Sequence, residues 1–243
     1  MKRFWREVTV EADGTNGKDA WRVALDGRPI RTQQGAAQLI PTERLAEALA
    51  AEWRAQGGAI DPAGFVLRDL ADYALDVVVP NRAEAEARIL AYAETDTLCY
   101  RAEPDEPLGI RQRAEWEPLL KAAEARHGVR FERVEGIVHR AQPAATLVRL
   151  GEALEARDAY QLAALQTLAS LAASLVVALA ALEPGGDAET LWAAANLEED
   201  WQAEQWGIDA EAQALRARRL AEFAAAMRFA ELARGSAWVS KPR

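Results

Sequence analysis

The stretch from Leu162 to Leu182, "LAALQTLASLAASLVVALAAL", contains 21 residues without a charged side chain. That is about the length of a helix that crosses a bilayer. The stretch is largely alanine, however, and it includes glutamine, threonine and serine residues but no basic flank. These features favour a helix in the interior of a soluble bundle, where small residues let neighbouring helices approach closely.

The composition is that of a globular protein with a sizeable core. Of the 243 residues, 50% are apolar and 28% are charged, which excludes a disordered chain. The formal charge of −9, from 29 basic and 38 acidic residues, repels phosphate backbones and anionic lipids. We therefore expect no nucleic-acid partner and no stable membrane insertion.

The single cysteine and the N-terminal sequence point to a cytoplasmic location. Cys99 cannot form an intramolecular disulfide, and this suits a reducing compartment. The N-terminal "MKRFWREVTVEADG" becomes acidic and strand-like within about ten residues, which does not fit the apolar core of a signal peptide.

The first forty residues have the two-residue period of β-strands. The runs "WREVTVEA" and "AWRVALDG" alternate apolar and polar positions, and "DGRP" turns the chain into "IRTQQGAAQLIP". Between the first two runs, "GTNGKD" has two residues between its first glycine and the Gly-Lys pair, where a phosphate loop has four. The pattern predicts an antiparallel meander with a hairpin turn at residues 14–19.

From Pro41 onward the period is that of amphipathic helices. "PTERLAEALAAEWRAQG" places Leu45, Leu49 and Trp53 on one face. "VRFERVEGIV" is the last plausible strand, alternating over residues 129–134. Further helices are predicted in "RDLADYALDVVV", in "RAEAEARILAYAETD", in "LGIRQRAEWEPLLKAAEARHG" up to Gly128, and over residues 143–157, 158–183, 187–206 and 209–233.

This shift from strands to helices predicts an α+β protein with two domains. The N-terminal domain, residues 1–85, combines the β meander with helices, and residues 86–235 form an all-α bundle. Residues 236–243 form a loose tail.

The chain lacks the usual groupings of catalytic and metal-binding residues. His127 and His139 are the only histidines, and neither is spaced with a second histidine or a cysteine as in a zinc site. Cys99, between Leu98 and Tyr100, fits a small buried hydrophobic residue better than a nucleophile. We therefore predict no catalytic residue, no metal and no cofactor.

The stretch "LEEDWQAEQWG", residues 197–207, combines three consecutive carboxylates with two tryptophans. On a helix, neighbouring residues diverge by about 100°, so Glu198, Glu199 and Asp200 cannot converge on one substrate. The tryptophans lie on two different sides, which predicts a helix packed between neighbours and ended by Gly207. The predicted structural aromatic residues are Trp53, Trp201 and Trp206.

Several separated motifs resemble one family in the same order. These are "LEEDWQAEQWG", "DGRPIRTQQGAAQLIPTERLAEALAAEWRAQGGAIDP" (residues 26–62), "ETDTLCYRA" (94–102) and "RQRAEWEPLL" (111–120). They are similar to the assembly chaperones that hold the free α subunit of the F-one sector of ATP synthase. The resemblance extends from about Arg3 to Leu232.

The resemblance implies a chaperone rather than an enzyme, with a β-containing N-terminal domain and an orthogonal helical bundle. Its client would be the ATP synthase α subunit, held until it pairs with β. It also implies that Trp53 and an acidic residue among 198–200 are important, without deciding which one. The residues predicted to bind the partner are Glu198, Glu199, Asp200, Gln202 and Gln205.

One alternative stays open at the level of sequence. The acidic cluster, with the amides of Gln202 and Gln205, could instead belong to a small-molecule site or an enzyme within the bundle. The oligomeric state is also left open, with a monomer expected.

Overall fold

A computed structural model describes residues 2–13, 20–136 and 138–235, and it has the predicted α+β fold. The chain divides into two compact units. Of the described residues, those within 1–82, 159–164 and 228–243 form the first unit, and those within 83–158 and 165–227 form the second. The predicted turn at 14–19 and the predicted tail at 236–243 lie outside the described residues.

The secondary structure begins with strands and continues mainly with helices. The strands are β1 (Val8–Asp13), β2 (Ala20–Leu25), β3 (Arg28–Pro29), β4 (Tyr100–Arg101) and β5 (Val134–Glu135). The helices are α1 (Glu43–Ala55), α2 (Val66–Tyr73), α3 (Arg82–Glu94), α4 (Pro107–His127), α5 (Ala144–Glu155), α6 (Ala159–Ala172), α7 (Leu175–Ala181), α8 (Ala188–Ala195), α9 (Leu197–Trp206) and α10 (Ala210–Ala233). A π-helical turn at Ala74–Val78 extends α2.

The first unit is built on an antiparallel sheet in the order β1-β2-β3. β1 pairs with β2 over their full lengths, from Val8 opposite Leu25 to Asp13 opposite Ala20. The third part of the predicted meander is a strand in only two residues, β3. This sheet confirms the β-containing N-terminal region.

The helix α1 packs its predicted apolar face into the core of the same unit. Leu45 and Leu49 are fully buried, and Thr42 caps the helix by accepting a 3.1 Å hydrogen bond from the Leu45 N–H. The Thr42 hydroxyl also donates to the carbonyl of Leu232 at 2.6 Å. The cap therefore ties the start of α1 to the end of α10.

The uncharged stretch at 162–182 is not one helix, so the prediction of a single helix over 158–183 is wrong. It divides into α6 and α7 at Ala173, which has a positive φ of 47°. The Ser174 hydroxyl then caps α7 by accepting a 3.0 Å hydrogen bond from the Val177 N–H. Among the helices that the structure describes, none combines the length and the apolar character needed to cross a membrane.

Two other sequence predictions are corrected in the second unit. The predicted helix over 187–206 is two helices, because Asn196 leaves the helical conformation between α8 and α9. The predicted strand over 129–134 is reduced to β5, which pairs in parallel with β4, so this unit is not strictly all-α. Gly128 ends α4 with φ 64°, as predicted.

Candidate functional site

The helix α9 carries the acidic stretch, and it is far more exposed than its sequence suggests. Leu197 is its only buried residue, and Trp206 is 80% exposed. Trp201 is half-buried, with the Arg111 guanidinium 5.8 Å from the centre of its ring. The prediction that Trp206 is a structural aromatic residue, packed between this helix and a neighbour, is therefore wrong.

Glu198 faces α4. Its carboxylate accepts a 2.6 Å hydrogen bond from Nε2 of Gln112, and the oxygen of the Gln112 amide accepts a 2.8 Å bond from the Ala102 N–H. Gln112 is fully buried. Although Glu198 as a residue is exposed, partial burial of its carboxylate raises its pKa, and the bond from Gln112 opposes that rise. Glu198 is thus committed to a contact within this chain.

Asp200 faces α10 and is paired there. Nη1 and Nη2 of Arg216 contact its two carboxylate oxygens at 2.6 and 2.7 Å. This two-point geometry fixes both side chains better than a single contact would. Asp200 therefore joins α9 to α10.

Glu199 is the remaining one of the three consecutive carboxylates. It is exposed, and it forms no hydrogen bond or ion pair with the residues that the structure describes. The three consecutive acids point in three directions, as the helical spacing predicts. They do not form a converging pair for acid–base chemistry.

Glu199 lies on a groove between α9 and α10, which we call the α9–α10 groove. Its volume is about 400 Å³. Buried Trp192, whose ring centre is 5.7 Å from that of Phe223, lines the groove on its inner side. The lining also includes Trp206, Ile208 and Leu215, which are 80%, 48% and 38% exposed. This exposed apolar rim is a feature of protein-binding surfaces.

The turn between the two helices is locally determined. Gly207 has φ 81° and ψ 171°, a conformation that favours glycine, and its N–H bonds the carbonyl of Ala203 at 2.8 Å. Asp209 then caps α10 by accepting a 2.8 Å bond from the Ala212 N–H. Ile208 therefore lies between the end of α9 and the capped start of α10.

Two glutamines of α9 were also predicted to bind the partner, and only one of them lines the groove. Gln202 lines the groove, whereas exposed Gln205 does not. Glu204, which was not predicted, binds Nη1 of Arg111 at 2.7 Å. This hydrogen bond from Arg111 to Glu204 raises the pKa of the guanidinium.

Trp53 belongs to the first unit and packs there. Its ring centre lies 5.0 Å from that of Trp5 and 4.5 Å from that of Phe65. Trp53 is therefore half-buried in contact with two aromatic neighbours.

Sequence reasoning missed the residues that complete the groove from α10. Leu215, Arg216 and Arg219 line it. The signal in the sequence was the arginine-rich stretch "LRARR", residues 215–219. Gln112 was also missed, because its partner Glu198 is 86 residues away.

The described residues contain no group of three or more histidine, cysteine or acidic side chains placed to hold a metal ion. Cys99 is buried, as predicted, and burial raises the pKa of its thiol to about 12. His127 is the last residue of α4, the position predicted from Gly128.

Comparison with known proteins identifies relatives over most of the chain. The family model described as ATP12 chaperone protein matches residues 2–124. The mitochondrial protein atp12 of Schizosaccharomyces pombe is 26% identical over 219 residues, which cover 85% of this chain and 74% of the relative.

Two solved structures have the same fold. Atp12 from Paracoccus denitrificans has a TM-score of 0.89 and 35% identity, covering 96% of this chain and 98% of that one. A candidate chaperone from Agrobacterium tumefaciens has a TM-score of 0.89 and 37% identity, covering 96% of this chain and 86% of that one.

Proposed function

Because this chain belongs to the ATP12 chaperone family, which acts in ATP synthase assembly, we propose that it binds the free α subunit of that enzyme until α pairs with β. The α9–α10 groove is the proposed client site. The observation that carries the proposal is the exposure of Trp206 beside a carboxylate without a partner among the described residues, Glu199.

The apolar rim supplies the main affinity in this proposal. Exposed tryptophans are frequent anchors at protein interfaces, because they bury a large area at little cost in side-chain entropy. A free α subunit exposes surface that is later buried against β, and such surfaces are rich in apolar side chains. Trp206, Ile208 and Leu215 offer a complementary surface.

Charge supplies the selectivity. Glu199 would be desolvated by a client, so a stable complex requires a cationic or hydrogen-bond-donating client group opposite it. The net charge of −9 favours encounter with a basic client surface. Glu198 and Asp200 act differently, since they hold α9 against α4 and α10.

A catalytic or small-molecule role has less support. Such a role needs acidic groups that converge, and Glu198 and Asp200 are each bound to a different neighbour. The single cysteine, Cys99, fits the cytoplasmic location that we propose for this chaperone.

The proposal is tested by capture of purified α subunit on the immobilised full chain. The wild type is expected to retain α, and addition of purified β is expected to release it. Trp206→Ala is expected to weaken retention at least about tenfold, since hot-spot anchors contribute about 2 kcal/mol or more. No retention of α by the wild type would refute the function.

A matched control distinguishes binding at the groove from non-specific binding to any exposed apolar side chain. Val148 on α5 is also an exposed apolar residue, at 61%, and it does not line the groove. Val148→Ala is expected to retain α as the wild type does. Equal losses from Val148→Ala and Trp206→Ala would show that the groove is not the client site.

A further inference from the structure

The first unit carries a second groove, with an apolar floor and a basic edge. Its volume is about 390 Å³. Leu25, Ile30 and Trp53 are among its apolar lining residues. Its charged lining residues are three arginines, Arg28, Arg31 and Arg68, and one carboxylate, Asp72. We call it the arginine-edged groove.

The aromatic side of this groove is a packed cluster. The ring centre of Trp53 lies 4.5 Å from that of Phe65, and the Arg68 guanidinium lies 4.1 Å from the centre of the Phe65 ring. Phe4 also lines the groove, yet it is 64% exposed. An exposed phenylalanine beside a formed apolar floor is a feature of docking surfaces.

Carboxylates of α2 and its π-helical turn hold the chain segment that forms the basic edge. Asp72 accepts hydrogen bonds from Nε2 of Gln38 at 2.6 Å and from the Gln33 N–H at 3.2 Å. Asp76 accepts from the Thr32 hydroxyl at 2.6 Å and from the Gln34 N–H at 3.1 Å. The segment after β3 is therefore fixed in place without help from a ligand.

At the edge, Arg28 and Arg31 form no salt bridge with the residues that the structure describes. Nη1 of Arg31 donates to the carbonyl of Gly35, which is a neutral acceptor. Arg68 pairs with Asp69 at 2.7 Å, but its Nε has no acceptor among the described residues. Arg28 is exposed beside Asp26.

Asp26 lies beside Arg28 and offsets part of its charge. Its carboxylate accepts hydrogen bonds from the N–H groups of Arg6 and Glu7 at 3.0 and 2.8 Å. The chain as a whole has a net charge of −9, whereas this edge carries arginines. An acidic ligand group would be attracted to it.

We propose that the arginine-edged groove is a second client-binding surface, and that it takes a segment of the α subunit in which an apolar side chain neighbours a carboxylate. The apolar side chain would cover the floor at Trp53, and the carboxylate would pair with Arg28 or Arg31. Guanidinium groups favour carboxylates because they can donate two parallel hydrogen bonds. This inference rests on the proposed function.

The two grooves would then take different features of the client. Glu199 calls for a basic group at the α9–α10 groove, and the arginines call for an acidic group here. A client must present both features to be bound at both grooves, which improves discrimination against other apolar surfaces.

The experiment replaces Phe4 with the photo-crosslinking residue benzoylphenylalanine in the full chain. This protein is irradiated with purified α subunit, and the crosslinked peptides are identified by mass spectrometry. The expected crosslink lies in one α segment that contains Asp or Glu next to an apolar residue. Arg28→Glu with Arg31→Glu is expected to reduce its yield at least tenfold, and Arg28→Gln with Arg31→Gln is expected to give an intermediate loss.

Charge reversal elsewhere provides the control. Arg113→Glu with Arg140→Glu changes two exposed arginines that do not line this groove, and it is expected to leave the crosslink unchanged. Melting temperatures of all variants establish that they are folded under the conditions of the assay.

The outcomes separate this inference from the function. If α is retained but position 4 gives no crosslink, or a crosslink that does not respond to the arginine changes, the second surface is refuted and the chaperone function stands. A crosslinked segment without an acidic residue also refutes it. If the wild type fails to retain α at all, both proposals fall.

Discussion

Gln112 donates a 2.6 Å hydrogen bond to the carboxylate of Glu198 across 86 residues of sequence. Gln112 is fully buried and is itself held by the Ala102 N–H. Glu198 is therefore a structural carboxylate that fixes α9 against α4. Its neighbour Glu199 is exposed and has no partner among the described residues.

The bond between these two residues should be measurable as a coupling energy. In a double-mutant cycle of Gln112→Ala and Glu198→Ala, we expect about 1 kcal/mol of coupling in the free energy of unfolding. Hydrogen bonds to charged groups contribute about 1.5–3 kcal/mol, and exposure to solvent lowers that value here. Urea denaturation measures it. Glu189→Ala, at an exposed glutamate of α8, should instead be additive with Gln112→Ala.

Charge reversal at Glu199 should weaken client binding and leave the fold intact. Glu199→Lys is expected to lower the affinity for α subunit about tenfold or more, because a buried cationic partner would then face a like charge. Its melting temperature should stay within about 2 °C of the wild type, since Glu199 has no partner among the described residues.

Two other reversals test this assignment. Glu189→Lys makes the same charge change outside the groove and is expected to leave α binding unchanged. Glu198→Lys should lower the melting temperature, because it breaks the bond to Gln112. A wild-type affinity for Glu199→Lys would remove Glu199 from the client site.

Asp96 should make stability depend on pH. It is fully buried, and burial raises its pKa from 3.8 to about 6, against the effect of hydrogen bonds from the Val176 N–H, the Ser174 hydroxyl and the Leu98 N–H. An acid whose pKa is raised in the folded state adds stability below its unfolded pKa. That stability is lost as the pH rises through the folded pKa.

We therefore expect the wild type to lose stability relative to Asp96→Asn between about pH 4 and pH 7. The relative loss is about 3 kcal/mol, since each pKa unit corresponds to about 1.4 kcal/mol. Urea denaturation of both proteins across this pH range measures it. A difference that stays constant with pH would contradict the prediction.

Loss of the Trp53 side chain should destabilise the first unit. Trp53→Ala removes the ring contacts with Trp5 and Phe65 and leaves a cavity, so we expect a loss of about 3 kcal/mol in the free energy of unfolding. Trp206→Ala removes the same side chain from an exposed site and should cost less than about 0.5 kcal/mol. Comparable losses in the two variants would mean that Trp53 is not a packing residue.

The sequence predicts most elements of this fold because their signals are local. Thr42 caps α1, and Gly128 and Gly207 end their helices, at positions that a few neighbouring residues determine. The α+β order follows from the change of period near Pro41. Even the divergence of Glu198, Glu199 and Asp200 follows from the rise and turn of a helix.

The break at Ala173 could not be predicted in this way. Residues 162–182 read as one helix, and a positive φ at an alanine is unfavourable on its own. In the fold, Thr97 donates its hydroxyl and N–H to the carbonyl of Ala173 at 2.9 and 3.2 Å, and Asp96 accepts a bond from the Val176 N–H. These contacts connect residues about eighty positions apart and outweigh the local preference.

The same contrast between local signals and long-range contacts holds for the candidate site. The sequence by itself determined that three acids and two tryptophans lie on one helix and point in different directions. Only the tertiary structure decided that Gln112 and Arg216 bind two of the acids, and that Trp206 and Glu199 remain exposed. Direction is set by the backbone of one helix, whereas burial and pairing depend on which distant helices pack beside it.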